Sequence, residues 1–500
     1  MRVLGRKIRK LEDSCARIAA TAKYFRQHPE VLKGYFSFVQ KRGLLNALSR
    51  FSRSLRRGGA RRILAPQVGI KPLMRLRSSC NDPVIILATP SHLGVANDIA
   101  VTLSRVGIES RIVHELPREG YDERDYFVIN APAFVHLPAF YIAVQLEDLN
   151  RANLFTEAYL HILQEASVVL DCSTANIAFL KRKGLDLRRI FYLPLGSRSN
   201  NDSGINQVSN VDKEISCDNA QEGLPDQFDY FFYRFLLATD NISFEEFWHL
   251  AGHKAELPSN AICLSLPEYI ERAEGFAREN RFGFSAFPGL RHTQSWIGCA
   301  MSYKFLIMLA RQQGLRQITI CEDDVEFPPD FEVRWRDIQE CLNDSDITWD
   351  IFAGLIARLD KDVEVLGLYK FRNQQLAAIN KVMSMVFNVY SERVYDTIAR
   401  WDENNHDVTT NTIDRYLERQ GALNILTVGP FLVGHKESEQ STIWGVENTH
   451  YIDLIKASNQ LLKEKILTCK KIAGISNSRT SARTSPHDAN TTHQHRGQEF

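Results

Sequence analysis

The 500-residue chain has no Cys-x-x-Cys pair and no internal repeat. It also lacks any run of about 18 uninterrupted apolar residues. Its nine cysteines, at positions 15, 80, 172, 217, 263, 299, 321, 341 and 469, are widely spaced and odd in number. This argues against a disulfide framework and a structural zinc site, and reduced thiols in a cytosolic setting are expected. The richest apolar stretch, Ala131 to Leu146, holds two prolines and a histidine, so no membrane-spanning helix is expected. The N-terminus is basic but has no compact apolar core followed by a small-residue cleavage site, which argues against a secretory signal. Net charge is also scarce, at +1. That small total hides an asymmetry. Met1–Ile63 carries 17 Lys and Arg against 3 Asp and Glu, leaving 44 against 57 for the rest. A basic arm thus precedes an acidic body. Apolar residues at 44 % and charged residues at 24 % are an ordinary globular mixture, not a collagen-like or wholly disordered one. The length suits two or three domains of roughly 150 residues.

Residues 1–77 read as a basic helical arm. Leu11, Ala16, Ile18, Ala19 and Tyr24 are followed by Val31, Leu32, Tyr35, Phe36 and Phe38, then by LLNALSRFSRSLRRGG. Such spacing suits helices on an anionic membrane surface, or a helical extension with a solvated basic face. Residues 83–196 alternate short apolar runs with helical stretches: VIILAT, ESRIVHE, DYFVINAP, YIAVQLE, ASVVLDCS and RIFYLPLG, with helices near Phe155–Gln164 and Thr174–Arg182. This alternation predicts a Rossmann-like α/β unit with a parallel sheet. His92 and Gly94, after the first strand, stand where a helix N-terminus favours a phosphate, although an unliganded turn histidine reads equally well. Residues 197–226, rich in Ser, Asn, Asp and Gly, read as a linker. A second α/β region occupies 227–470, opening with FDYFFYRFLLA. The polar segment 471–500 reads as a disordered tail whose His487, His493 and His495 are incidental.

The chemistry concentrates between Arg291 and Phe327. Gln294 to Gln313 reads as a helix with Ile297, Met301, Phe305, Met308 and Leu309 on one stripe. Gly298 and Ser302 share a side, where small groups let a backbone or a ligand approach. Lys304 reads as a solvated helix residue. The strand QITIC then runs straight into Glu322-Asp323-Asp324. Were the strand to persist, Glu322 and Asp324 would share one side and Asp323 the other. Three adjacent carboxylates repel, and a divalent cation is the simplest compensation. Hard oxygen ligands suit Mg²⁺ or Mn²⁺, which can bridge to diphosphate oxygens. A solvated acidic turn is the plainer alternative.

Several pieces appear in a fixed order: CLSLPEYIERAEGF (Cys263 to Phe276), Ile297-Gly298-Cys299 with Ser302, ICEDDVEF, Trp349-Asp350-Ile351-Phe352, Thr412-Ile413-Asp414 and GPFLVGHKESEQS. Over residues 260–450 this set resembles glycosyltransferase family 25, the lipopolysaccharide-type and collagen galactosyltransferases. The resemblance implies a GT-A fold, a Rossmann-type nucleotide-sugar domain whose acidic motif holds a metal and the donor diphosphate. It also implies an inverting transfer, usually from a UDP-sugar. On that basis Arg272, Ser302, Glu322 and Asp323 are candidate donor contacts. Glu322, Asp324 and His435 are candidate ligands of Mn²⁺ or Mg²⁺, and Asp414 is the candidate base. Plain alternatives stay open for three of them: Arg272 as a surface helix arginine, His435 as a loop histidine, and Asp414 as helix-start chemistry. One position departs from the family pattern, which usually has Ser-His where this chain has Ser302-Tyr303. Residues 83–196 are similar to half of a GT-B-type transferase without a complete donor site, and read as an accessory or acceptor-binding domain.

The expectation is thus an α/β protein in which a GT-A-like domain follows a second Rossmann-like domain and a basic helical arm. The expected activity is metal-dependent transfer of a hexose, such as galactose, from a nucleotide sugar to a surface-glycan, lipid-linked glycan or lipopolysaccharide-type acceptor. A non-catalytic binding or scaffold protein is the alternative. The expected location is cytoplasmic, with peripheral contact at the inner membrane face through the arm. Nucleic-acid binding is not expected, because no groove-reading module or interleaved stacking aromatics accompany the basic residues.

Overall fold

The computed structural model describes Leu76 and residues 83–115, 124–138, 140–147, 155–195, 227–344, 347–381, 383–421 and 423–481. The basic arm up to Lys71, the linker 197–226 and the histidines of the tail lie outside the described residues. The chain divides into two compact units, one of Met1–Lys71 with Ile443–Gly445, the other of Pro72–Thr442 with Val446–Phe500.

This unit is mixed α/β. Its first sheet has the order β2-β1-β3-β4-β5-β6, with every pairing parallel. The strands are β1 (Val84–Leu87), β2 (Ser110–Val113), β3 (Tyr126–Ile129), β4 (Ile142–Gln145), β5 (Val168–Asp171) and β6 (Ile190–Tyr192). Each of the six predicted runs contributes one strand. β1, β3, β4 and β5 are buried along their whole length, as a parallel sheet covered on both faces requires. Helices α1 (Leu93–Arg105), α2 (Glu157–Glu165) and α3 (Thr174–Arg182) provide the cover. Thr156 caps α2 and Ser173 caps α3, each side chain accepting from a backbone amide of the first turn.

Helix α4 (Gln227–Ala238) is buried on every side from Tyr230 to Ala238. Phe232 stacks on Phe127 of β3 at 5.9 Å, and Phe235 meets Phe191 of β6 edge-on at 5.3 Å. On its other side, the Tyr230 hydroxyl donates to the Pro288 carbonyl at 3.1 Å. An apolar helix between two packed layers needs no polar face. The short helix α5 (Phe244–Leu250) follows, started by a reciprocal cap between Ser243 and Glu246.

The second sheet is mixed, with the order β12-β13-β15-β11-β14-β9-β7-β8. Its parallel end comprises β8 (Ser285–Pro288), β7 (Ala261–Ser265) and β9 (Gln317–Glu322). Antiparallel pairings join β14 (Phe387–Ser391) to β9 and to β11 (Ile351–Ala353). β15 (Ile425–Val428) pairs parallel to β11, and β13 (Gln374–Ile379) and β12 (Val365–Phe371) complete the other edge. A two-stranded ribbon pairs β10 (Val325–Glu326) with β16 (Gly434–His435). The helices are α6 (Ile270–Glu279), α7 (Ser295–Gln312), α8 (Phe331–Leu342), α9 (Glu392–Ala399), α10 (Ile413–Glu418) and α11 (Thr449–Ser481). Among the described residues, no helix is long and apolar enough to cross a membrane.

Two expectations change. α11 runs past Lys471, because nothing before Pro486 except Gly474 stops a helix. α7 is not a one-stripe helix: Trp296, Ile297, Ala300, Met301, Tyr303, Phe305, Leu306 and Ile307 are all buried, because neighbours cover it on several sides. The close approach foreseen at Gly298 is made by the chain itself. A Cβ there would meet the His292 nitrogen at 2.8 Å and the Arg291 Cα at 3.0 Å. Gly298→Ala is therefore expected to cost about 1–3 kcal/mol through overpacking against backbone. Urea denaturation should show it as a lowered midpoint with an unchanged slope.

Candidate functional site

The strand β9 ends at Glu322, and the chain turns at once through Asp323 and Asp324 into β10. Because the strand does not persist, the three carboxylates fan out instead of alternating. Asp323 points to β7 and α6, where Ser265 Oγ donates to its Oδ2 at 2.7 Å and Arg272 Nε to its Oδ1 at 2.8 Å. Asp324 Oδ2 lies 3.0 Å from Arg272 Nη2 and receives Asn448 Nδ2 at 3.2 Å. His435 Nε2 is 3.2 Å from the same oxygen. Glu322 faces α7, with the Tyr303 hydroxyl 3.4 Å and Cys299 Sγ 3.9 Å from its Oε1.

Like-charge repulsion in the turn is thus relieved by a guanidinium. Arg272 is 7 % exposed, so it is no surface helix residue. Nor is it free to grip a diphosphate: Nε and Nη2 are taken by the acids, and Nη1 donates to the Gln440 carbonyl at 2.9 Å. Ser302, the other expected donor contact, is also engaged. Its hydroxyl donates to the Gly298 carbonyl at 2.7 Å and accepts the Leu290 amide at 2.8 Å. Lys304 is not solvated either, since its Nζ bonds the Trp401 carbonyl at 2.8 Å and Glu403 at 2.9 Å.

His435 is placed by strand pairing and not by a loop. It sits opposite Val325 in the β10–β16 ribbon, and the Lys436 amide donates to the Asp324 carbonyl at 2.8 Å. Asp414 occupies the first turn of α10, where its Oδ1 accepts the Thr412 hydroxyl at 2.7 Å and the Arg415 amide at 2.8 Å. It belongs to the same field as the acidic turn. Burial pushes the Cys299 thiol up, and Glu322, Asp414 and Asp324 together add to that shift. Tyr451 of α11 is likewise raised by burial and by the same three acids.

Electrostatics separate the carboxyls. Burial, with Asp324 adding, pushes Glu322 up from the ordinary carboxylate range. Burial also opposes ionisation of Asp324. Its bond to His435 and the charge of Arg272 outweigh that and hold it well below the usual carboxylate range. Two acceptor oxygens remain buried without a hydrogen-bond partner, Asp324 Oδ1 and Asn448 Oδ1. Asn448 precedes α11 and ties the site together: its Nδ2 lies 3.1 Å from His435 Nε2 and donates to the Lys436 carbonyl at 3.0 Å. Its only sequence signal is an asparagine just before a helix, which reads as a cap. Tyr303 donates to the Met385 carbonyl at 2.7 Å beside Glu322.

Orphaned oxygens beside a neighbouring imidazole fit a hard divalent cation. The fit is partial, because among the described residues no three His, Cys, Asp or Glu side chains form a group able to hold a metal. Among the described residues, cysteines 263, 299, 321, 341 and 469 form no disulfide.

The fold and site thus define an α/β protein with a carboxylate-rich turn at the end of a central strand. No protein-family model matches the chain, and no curated protein matches it either.

Proposed function

We propose that the chain is a metal-dependent inverting glycosyltransferase of GT-A type, moving a hexose from a nucleotide sugar to a glycan or lipid-linked glycan acceptor. The observation that carries this reading is the meeting of Asp324 and His435 just past the end of β9, with Asp324 Oδ1 unpaired, while Glu322 and Asp414 share its electrostatic field at Cys299. The parallel order β8-β7-β9 at one edge of a mixed sheet supports a nucleotide-sugar domain. Asp324 and His435 would hold Mn²⁺ or Mg²⁺, with Asn448 Oδ1 as a further oxygen. Such ions commonly keep only one or two carboxylates and complete their shell with phosphate oxygens. When bound, the ion supplies Lewis-acid stabilisation to the departing nucleoside diphosphate.

The chain's own residues do the rest. Arg272 fixes Asp323 and orients Asp324, a positioning role in place of the expected donor contact. Thr412 and Arg415 hold one oxygen of Asp414, leaving the other to accept a proton from the acceptor hydroxyl. The test is a screen of common nucleotide sugars with Mn²⁺, read as release of the nucleoside diphosphate. Release from at least one donor is expected, and none from any donor, with no Mn²⁺ binding, would overturn the assignment. That negative result would favour a scaffold protein, a reading supported by Arg272 already occupying two of the acids.

The basic arm supports a cytoplasmic protein held peripherally on anionic lipid. Deleting Met1–Arg77 is expected to abolish binding to anionic vesicles at low salt, where attraction is strongest, and to leave turnover of a soluble acceptor unchanged. Equal vesicle binding by both forms would remove the membrane role.

A further inference from the structure

The helix that carries Arg272 has a weak beginning. α6 is ten residues long, and Tyr269 at its N-cap supplies no side-chain hydrogen bond. The first turn of a short, uncapped helix frays, because its leading amides have no partner within the helix. Arg272 is the third residue of α6. Its guanidinium stays on Asp323 and Asp324 only if that first turn is fixed from outside.

The fixing contacts come from the first α/β layer. Glu268, just before the helix, accepts the Tyr192 amide of β6 at 3.1 Å and both terminal nitrogens of Arg234 from α4. Arg291, 3.4 Å from the same carboxylate, donates to the Leu187 and Ile190 carbonyls where β6 begins. Tyr269 packs against the apolar core of the parallel sheet. Lys181 of α3 bonds Glu271 at 2.5 Å. The Tyr269 carbonyl then accepts the Arg272 amide at 2.9 Å. Three of the four residues before Arg272 are thus anchored in one layer, and Arg272 itself reaches the acids of the other.

The anchors are unequal. The Lys181–Glu271 pair is exposed and screened by water, so it contributes little. Glu268 and Arg234 are fully buried, where losing one partner leaves the other charge uncompensated. Glu268 therefore dominates, with Tyr269 second.

We propose that the first layer positions the acidic turn, with Glu268 and Tyr269 as positioning residues that act through Arg272. Loosening the start of α6 frees the guanidinium from Asp323 and Asp324, and the turn loses the cation that offsets its repulsion. The effect on Mn²⁺ rests on the metal-dependent reading above, whereas the coupling does not.

The test is hydrogen–deuterium exchange of the full chain, with Mn²⁺ binding followed by calorimetry. Glu268→Gln and the milder Tyr269→Leu should each speed exchange of residues 322–326 and 434–437 by about tenfold through local opening. The reference is Ile99→Ala, a buried α1 residue outside the core that Tyr269 joins, compared at the same interval below each variant's Tm. Arg272→Lys should also speed the turn, and adding Glu268→Gln to it should change the rate by less than about twofold, since both act through one side chain. Mn²⁺ affinity should fall severalfold in Glu268→Gln. A parent that binds no Mn²⁺ would sink the transferase reading, and the exchange rates would still decide the coupling. The proposal is overturned if Ile99→Ala speeds the turn as much as the α6 variants do, if Tyr269→Leu leaves it at the parent rate, if the Arg272 and Glu268 effects multiply, or if a parent that binds Mn²⁺ keeps its affinity in Glu268→Gln.

Discussion

Asp414→Asn should lower sugar transfer by about 10²–10⁴-fold, the usual contribution of a positioned general base. The substitution is close to isosteric. Asparagine keeps the oxygen that accepts from Thr412 and the Arg415 amide, so α10 should start as before. What it loses is the second oxygen, the one able to take a proton. Binding of Mn²⁺ and of donor should therefore match the parent by calorimetry while turnover collapses. His435→Ala should behave in the opposite way. It removes the imidazole beside Asp324, so Mn²⁺ affinity should fall and activity should recover in part at high metal. Wild-type transfer by Asp414→Asn would make this residue a helix-start carboxylate only, and an unchanged Mn²⁺ titration would remove His435 from the metal's surroundings.

The largest effect on stability is expected at Glu268, in the turn after β7. Its carboxylate is fully buried between two arginines: Arg234 Nη1 donates to Oε1 at 2.6 Å and Nη2 to Oε2 at 3.0 Å, while Arg291 Nη1 lies 3.4 Å away. Arg291 in turn donates to the Ile190 and Leu187 carbonyls, and the Tyr192 amide donates to Glu268 itself. Removing the carboxylate strands two buried cations. Breaking a buried pair in this way costs about 3–5 kcal/mol, and Glu268→Ala should show at least that in urea denaturation at neutral pH. Burial opposes ionisation of Glu268, but Arg234 and Arg291 outweigh it and lower its pKa from the ordinary 4.5 to about 2. The sign follows from the folded value being the lower one. Its stabilisation is complete above pH 4.5 and disappears as pH falls through about 2. A variant as stable as the parent at pH 7 would mean that the two arginines find other partners.

Local pattern carried the first sheet well. Runs such as VIIL and IAVQ are too short and too apolar to be anything but buried strands, and capping residues at Thr156 and Ser173 mark the helices between them. The acidic turn was also visible, since three consecutive carboxylates after an apolar strand have no packing role. Its geometry was not. Whether Asp323 and Asp324 alternate or diverge depends on where β9 stops, and that is set by pairing with β14 and β7, which are distant in sequence. The same holds for Arg272, whose partners lie 51 and 168 residues away. Glu268 gave no signal at all. A charged residue in a turn reads as solvated until the tertiary structure brings two arginines to it. Asn448 stayed hidden for a related reason, because it lies just before a helix whose own pattern explains it.

The aromatic helix α4 has a mechanical consequence. Proteins with two α/β layers often work by opening and closing a cleft between them, which needs a thin, wettable seam. Here the seam is filled by Phe232 and Phe235 on one side and by Tyr230 on the other, and the ionic cluster around Glu268 crosses beside it. Rotating one layer against the other would expose those rings and uncover the stranded charges in the same motion. The two sheets should accordingly melt together, and differential scanning calorimetry of the described unit should record one cooperative endotherm instead of two.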